Sequence, residues 1–262
     1  MSDLIIDQMT EQYVRCGRVL IRTTELEERL SAFASPLLFM DGAVQKDLGD
    51  FALSSQGSCA NLMYEGVPFL AATSHQIIRK PASGVCIYDE RSQSVVTCSS
   101  HNSYRFDTNK IEWVRKDVEL FGFSGASASV MLKRHQFFPI AKHYGQFSID
   151  QICFVIVVGY PYQVQSWNID QSNLVFRPFS VLAEFKGKGH ADYLVAEAYE
   201  ELEINPDGLS GGPVFFVLFS GSEYYVELGG IVATANKKLL HFIPLTFALP
   251  LLSLSGQKNP VA

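Results

Sequence analysis

Apolar positions in this chain fall into many short runs, several of them alternating with polar positions, and this pattern predicts a protein built mainly from β-strands. Turn-forming pairs such as Glu65-Gly66 and Gly221-Ser222 separate the runs. No helical pattern alternates with them, so an antiparallel barrel or sandwich is favoured over a parallel α/β sheet. The runs lie near residues 57–72, 84–88, 94–98, 118–123, 152–158, 174–185, 193–199, 214–219 and 224–234.

The first part of the chain has a different pattern. Apolar residues from Leu4 to Val19 recur at roughly helical spacing, which predicts a lead-in helix packed on the rest of the fold. Residues 1–45 are therefore predicted to form a short helical extension. The apolar stretches Ile152–Val158 and Leu239–Leu252 are too short to span a bilayer as helices, so no membrane segment is expected.

Composition narrows the set of partners. The 262 residues are 47% apolar, enough for a substantial core, and the net charge is −6. With no long basic run, neither nucleic acid nor an anionic membrane surface is an expected partner. The five cysteines include no Cys-x-x-Cys pair, so reduced thiols and no metal site are predicted. The first residues lack the features of a signal peptide, and a cytoplasmic location is expected.

One stretch carries candidate chemistry. The segment Gly208–Pro213 reads Gly-Leu-Ser-Gly-Gly-Pro and leads into an apolar strand. Glycines let the backbone bend sharply and approach a substrate closely, so Ser210 is a candidate nucleophile. The N–H groups of Gly208 and Ser210 can then point to one position, that of an oxyanion in acyl transfer.

A serine nucleophile needs a histidine base and a carboxylate that orients it. His75 stands at the exit of an apolar strand that ends in small residues, and Asp117 precedes another apolar segment. Asp107 is the main alternative to Asp117, which has basic neighbours and can also be read as a surface charge. Other histidines compete with His75 but lack its strand-end context: His101, His135, His143, His190 and His241.

These segments resemble the motifs of trypsin-like (chymotrypsin-fold) serine proteases of the intracellular or bacterial type. Gly208–Pro213 is close to the family's Gly-Asp-Ser-Gly-Gly-Pro. Ala71–His75 is a looser version of its Thr-Ala-Ala-His, and Asp117–Leu120 resembles its Asp-Ile-Ala-Leu. Val157–Pro161 and Leu228–Val232 stand where the family has core strands. The resemblance extends over roughly residues 50 to 250.

The resemblance implies a mechanism. His75 would be the general base, Asp117 its orienting partner and Ser210 the nucleophile, with Gly208 and Ser210 as oxyanion donors. The separation of His75 and Asp117 is 42 residues, and Asp117 and Ser210 are 93 apart (from 117 to 210), against about 45 and 93 in chymotrypsin. The implied function is a serine endopeptidase that acts on protein or peptide substrates without a cofactor.

The resemblance also implies an all-β fold of two six-stranded antiparallel barrels. The first, 46–135, would carry the histidine and the aspartate, and the second, 136–262, the serine. An apolar substrate pocket would favour small or apolar side chains at P1. Its lining is predicted to include Ile204, Gly229, Gly230 and Ile231.

One position departs from the family, and two alternatives stay open. Secreted members have an aspartate before the serine that pairs with a freed amino terminus, whereas this chain has Leu209, which argues against that activation. The alternatives are a protease fold that binds without cutting and a protease activated by a protein partner. The serine box also fits the elbow of α/β-hydrolases, but too little chain follows Ser210 to supply that fold's later strands and its acid.

Overall fold

The computed structural model describes residues 12–40, 53–78, 80–89, 94–104, 117–125, 132, 135–141, 147–168 and 173–255. These residues confirm a mostly β fold with a closed barrel, a second curled sheet and few helices. The amino-terminal elements are strand β1 (Tyr13–Cys16), strand β2 (Val19–Arg22) and helix α1 (Leu26–Ser31).

The helix predicted over Leu4–Val19 is wrong over its described part. Strands β1 and β2 form an antiparallel hairpin there, and Gly17 adopts the positive φ (58°) of its turn. The apolar spacing misleads because β1 finds its partner far along the chain, with Val14 paired to Tyr224 in a parallel register. Local periodicity carries no information about such a partner.

The first sheet is curled and lies on the amino-terminal side of the molecule. Its strands are β3 (Ala34–Met40), β4 (Leu53–Tyr64), β5 (Val67–Ala72), β6 (Val85–Asp89), β7 (Ser94–Thr97), β8 (Ser100–Ser103), β9 (Glu119–Gly122) and β10 (Phe138–Ile140). Their order is β7-β6-β3-β4-β5-β9-β8, with β10 added in parallel beside β4. The sheet thus recruits β3 from the predicted extension and β10 from beyond residue 135.

The second sheet closes into a six-stranded barrel. The carboxyl-terminal elements are β11 (Ile152–Gly159), β12 (Ser166–Asn168), β13 (Asn173–Val175), β14 (Phe179–Lys188), β15 (Leu194–Ala198), β16 (Pro213–Ser220), β17 (Glu223–Ala235), β18 (Leu239–Pro244) and helix α2 (Leu249–Ser255). The order β16-β11-β14-β15-β18-β17 closes because β17 pairs with β16. The β1–β2 hairpin extends this sheet from β17, and β12 and β13 pair separately. Among the described residues, no helix has the length and apolar character needed to cross a membrane.

Alternation along the strands divides the core into three apolar clusters. In β11, Val155 and Val157 face the interior of the closed barrel, whereas Ile156 and Val158 join the cluster between the two sheets. In β5, Leu70 faces the interior of the first sheet and Phe69 faces the shared cluster. This shared core holds the end of β5 and the start of β16 in fixed relation, and the candidate residues lie at those two places.

Candidate active site

His75 lies in the turn that ends strand β5. Thr73 begins this turn and Ser74–Gln76 form its single 3₁₀ segment. Gln76 Oε1 accepts hydrogen bonds from the backbone N–H (2.9 Å) and the hydroxyl (2.8 Å) of Thr73, and the two residues form a reciprocal capping box. The capping box fixes the backbone that carries His75.

The Asp117 carboxylate contacts His75 at two points. Oδ2 lies 3.1 Å from His75 Nδ1, and Oδ1 accepts the His75 backbone N–H at 3.2 Å. Asp117 stands just before β9, which pairs with β5 and so brings the two residues together. A carboxylate against Nδ1 keeps the proton there and leaves Nε2 as the basic nitrogen. The alternative acid, Asp107, lies outside the described residues.

Ser210 lies where two tight turns meet. The turn Pro206–Leu209 is closed by a 2.9 Å backbone hydrogen bond, and Leu209–Gly212 is closed by another of the same length. Each turn has a glycine with positive φ at its third position, Gly208 (100°) and Gly211 (81°). A residue with a Cβ is disfavoured in that conformation, so the glycines permit the double turn that exposes Ser210.

Leu209 anchors this loop in the closed barrel. Its side chain is 0% exposed and belongs to the interior cluster of that barrel. A Cβ atom at Gly159 would lie 2.8 Å from Leu209 Cδ2, so the glycine at the end of β11 makes room for the leucine. Burying a leucine contributes about 2 kcal/mol. The loop is therefore held in place by apolar packing of Leu209.

The backbone N–H groups of Gly208 and Ser210 differ from their neighbours. Leu209, Gly211 and Gly212 each donate to a backbone carbonyl at 2.8–2.9 Å. Within the described part of the chain, Gly208 and Ser210 donate to no protein acceptor. These two N–H groups are the donors that the sequence predicts for an oxyanion, and both are available to a ligand.

The hydroxyl of Ser210 does not bond to His75 in this structure. It donates to the carbonyl oxygen of Ala233 at 2.9 Å, while His75 Nε2 lies 3.3 Å from the Thr73 hydroxyl oxygen. Rotation about the Ser210 Cα–Cβ bond between staggered positions redirects the hydroxyl. Catalytic hydrogen bonds are often unformed in the absence of substrate.

A second imidazole–carboxylate pair lies beside the first. His101 Nε2 is 2.5 Å from Glu119 Oε2, and the other oxygen of Glu119 accepts the Ser74 hydroxyl at 2.7 Å. The His101 ring stacks on Phe121 with a centroid distance of 5.0 Å. Sequence reasoning considered His101 only as a rival base and did not identify Glu119. Glu119 is the first residue of β9, two positions after Asp117, and no local pattern marks it.

The structure shows the contacts of each predicted pocket residue. Ile204 lines a separate cavity of about 380 Å³ with residues of β14. Gly229 packs against the Phe216 ring, and Ile231 is buried in the shared core. Gly230 packs closely on the backbone of the neighbouring strand β18. The β17 residue that contacts the Ser210 hydroxyl is Ala233, two positions after Ile231 and not among the predicted pocket residues.

Thiols do not compete with Ser210 as nucleophiles. All five cysteines are free, and burial raises the pKa of each, to about 11 for Cys16 and about 12 for Cys86. A thiol with a raised pKa is a poor source of thiolate. Among the described residues, no group of three or more histidine, cysteine and acidic side chains is placed to hold a metal ion.

The electrostatic influence of Asp117 reaches the second sheet. Burial raises the pKa of Tyr193, and the nearby Asp117 carboxylate raises it further. Tyr193 directly precedes β15, so a charge carried by the first sheet acts on a residue of the closed barrel. The Asp117 carboxylate is therefore close enough to the closed barrel to influence one of its residues.

No family model and no curated protein sequence matches the chain. Several solved structures, however, are similar to the chain. Human heparin binding protein is 13% identical, with a TM-score of 0.54 over 89% of this chain and 96% of that one. The thermostable serine protease AL20 from an extremophilic microorganism is 11% identical, with a TM-score of 0.52 over 87% and 99%.

A third similar structure, a scabies mite inactivated protease paralogue, is 12% identical, with a TM-score of 0.51 over 87% of this chain and 94% of that one. The three structures thus include one described as a protease and one described as inactivated. At these identities the similarity establishes architecture and leaves activity to the site residues. The chain has the chymotrypsin-like double-barrel fold of serine proteases.

Proposed function

We propose that the chain is a serine endopeptidase that cleaves protein or peptide substrates through an acyl-enzyme at Ser210. The observation that carries the proposal is the two-point contact between Asp117 and His75, because it gives the imidazole the tautomer and orientation of a general base. The two available N–H groups of the Ser210 loop support it. The fold supports it more generally.

The reaction would proceed in two halves. Ser210 Oγ attacks the scissile carbonyl carbon while His75 Nε2 takes the hydroxyl proton, and the N–H groups of Gly208 and Ser210 stabilise the oxyanion. His75 then gives its proton to the leaving amine, and Asp117 stabilises the charged imidazole between the two transfers. Water hydrolyses the resulting ester by the same route. The Ser210 hydroxyl must first leave Ala233 and turn to His75.

The proposal extends to the cellular location of the protein, the control of its activity and its preference at P1. We propose a cytoplasmic location, supported by five free cysteines at partly or fully buried positions. An unregulated protease is hazardous inside a cell. We therefore also propose that the activity either requires an activating protein partner or is restricted to few substrates. A small or apolar P1 residue remains the expected preference, and a panel of peptides varied at P1 that shows strong preference for arginine would contradict it.

A second candidate is a catalytically silent module that binds peptides or regulates another protein. The hydrogen bond from Ser210 to Ala233 favours it, since the hydroxyl is turned away from the base. The similarity to an inactivated protease paralogue is consistent with it. The two candidates share the fold and differ in whether Ser210 can be activated.

Labelling with a fluorophosphonate probe separates the two candidates. The wild-type chain is compared with Ser210→Ala and His75→Ala, with circular dichroism to establish folding. Labelling of the wild type alone supports the endopeptidase. If folded wild-type protein remains unlabelled, the silent module or a partner-gated site is favoured, and labelling in the presence of cell extract distinguishes these two.

A further inference from the structure

We propose that Gln76 is a positioning residue that ties the histidine turn to the nucleophile loop, an inference that rests on the proposed function. Gln76 follows His75 in the chain and is buried. Its Nε2 atom donates to the carbonyl oxygen of Ser210 at 2.8 Å, across a separation of 134 residues. One side chain therefore connects the neighbour of the base directly to the nucleophile residue.

Both the nitrogen and the oxygen of the Gln76 side-chain amide make hydrogen bonds. Nε2 also lies 2.9 Å from the carbonyl oxygen of Gln56 and 3.1 Å from that of Ser58. Oε1 accepts the two Thr73 donors already described. Three acceptors around the nitrogen and two donors around the oxygen fix the orientation of the amide. Only a side chain with a donor and an acceptor at this reach satisfies both sets.

Ser58 of strand β4 completes the link from the first sheet. Its backbone N–H donates to the Ser210 carbonyl oxygen at 3.1 Å, so this carbonyl accepts from Gln76 and Ser58 together. Its hydroxyl donates to the Gly208 carbonyl oxygen at 2.6 Å and accepts the Tyr160 backbone N–H at 2.7 Å. Both residues with available oxyanion N–H groups are thus held by their own carbonyl oxygens.

Two glycines make room for this amide. A Cβ atom at Gly57 would lie 2.8 Å from Gln76 Nε2. At Gly211 it would lie 2.6 Å from Gln76 Oε1 and against the backbone oxygen of Ser58. The glycine that follows the nucleophile therefore serves the close approach of Gln76 as well as the turn.

The chain contains a matched control for Gln76. Ser148 and Gln151 form a second capping box, in which Gln151 Oε1 accepts the Ser148 backbone N–H at 2.8 Å. Among the described residues, the Gln151 amide makes no bond to the nucleophile loop. Gln151→Met therefore removes a cap alone, whereas Gln76→Met removes a cap together with the hydrogen bonds to Ser210, Gln56 and Ser58.

The first experiment measures the second-order rate of fluorophosphonate labelling for wild type, Gln76→Met and Gln151→Met, well below the lowest melting temperature of the three. We expect Gln76→Met to slow labelling by roughly tenfold to a hundredfold, because small displacements of reacting groups have effects of that size. Gln151→Met should stay within about twofold of wild type. For any peptide substrate, kcat should fall with KM nearly unchanged. Equal labelling rates for Gln76→Met and Gln151→Met would overturn the inference.

The second experiment does not depend on catalysis. Hydrogen exchange of the Gly211 and Gly212 amides is followed by mass spectrometry in the same variants, and faster exchange is expected in Gln76→Met than in Gln151→Met. Equal exchange in both variants would overturn the link even if the wild type is not labelled. An unlabelled wild type with faster exchange in Gln76→Met would instead count against the proposed function and leave the link standing.

Discussion

Two imidazole–carboxylate pairs stand side by side in the first sheet, and their environments differ. In the pair His75–Asp117, the side chains are 41% and 18% exposed, and Nδ1 meets the carboxylate. In the pair His101–Glu119, they are 32% and 9% exposed, and Nε2 meets the carboxylate. The first pair leaves Nε2 away from the carboxylate, 3.3 Å from the Thr73 hydroxyl oxygen. The second uses Nε2 for its contact with the carboxylate and stacks its ring on Phe121.

The comparison teaches that an imidazole–carboxylate contact does not by itself define a catalytic pair. Which nitrogen faces the carboxylate decides which nitrogen can act as a base. Glu119 also accepts the Ser74 hydroxyl, so the second pair braces the turn that carries His75. Under the proposed function, the first pair would transfer protons and the second would support the turn that carries His75.

The largest expected effect separates the two histidines. His75→Ala should lower kcat/KM by at least about 10⁴-fold, as should Ser210→Ala, because either change removes a group that acts as a unit with the other. His101→Ala should cost less than about tenfold. Steady-state kinetics or labelling rates provide the measurement. Equal losses of activity in His75→Ala and His101→Ala would contradict the distinction between the two pairs.

The carboxylates provide the next test. Asp117→Asn should lower kcat by about 10⁴-fold, because an amide no longer favours the tautomer that leaves Nε2 basic. Glu119→Gln keeps an acceptor for Ser74 and should cost about tenfold at most. Kinetics on the two purified variants, with circular dichroism to verify folding, distinguish them. A larger loss for Glu119→Gln than for Asp117→Asn would assign proton transfer to the His101–Glu119 pair and contradict the proposal.

Stability should show the reverse order. Glu119→Ala leaves the Ser74 hydroxyl and the His101 ring without their buried partner and should lower the free energy of unfolding by about 1–3 kcal/mol. Asp117→Asn, at a more exposed position and still able to accept a hydrogen bond, should cost less than 1 kcal/mol, on the order expected for an exposed charge pair. Urea unfolding at one fixed pH measures both. Equal losses would remove the distinction between support and chemistry.

The smallest effect is electrostatic. Because Asp117 contributes to the raised pKa of Tyr193, Asp117→Asn should lower that pKa toward the ordinary tyrosine value, while burial, the larger cause, keeps it raised. A tyrosine with a raised pKa favours its neutral form in the folded state. Its stabilising contribution is therefore present at neutral pH and is lost as the pH rises through the raised value. NMR titration of labelled tyrosine in wild type and variant gives the shift. Glu119→Gln should leave it unchanged.

Much of the fold could be predicted from local pattern. The run 57–72 with Glu65-Gly66 at its centre corresponds to β4, a tight turn with positive φ at both turn residues, and β5. The run 152–158 corresponds to β11. These strands are visible because a half-buried or fully buried strand has a characteristic sequence of apolar residues. Strand β8, which reads Ser-His-Asn-Ser, has no such signal and is defined by its pairing with β9.

Part of the site could also be predicted locally. Ser210, Gly208 and Gly211 are marked by a glycine pattern that follows from backbone geometry. Gln76 and Glu119 could not be identified in that way, because their roles depend on Ser210 and His101 and appear only when distant segments pack together. The contact between Ser210 and Ala233 could not be predicted either, because the register of β17 against the loop is set by pairing, which spacing along the chain does not determine.

The sequence by itself determined that the chain is mostly β, that a serine stands among glycines before an apolar strand, and that a histidine stands at the end of another strand. These features follow from residue type and local geometry. Only the tertiary structure decided that Asp117 reaches His75, that Gln76 joins the two loops, and that Ser210 points to Ala233. Hydrogen bonds between residues far apart in the chain depend on strand register and on the shared core, which no local stretch encodes.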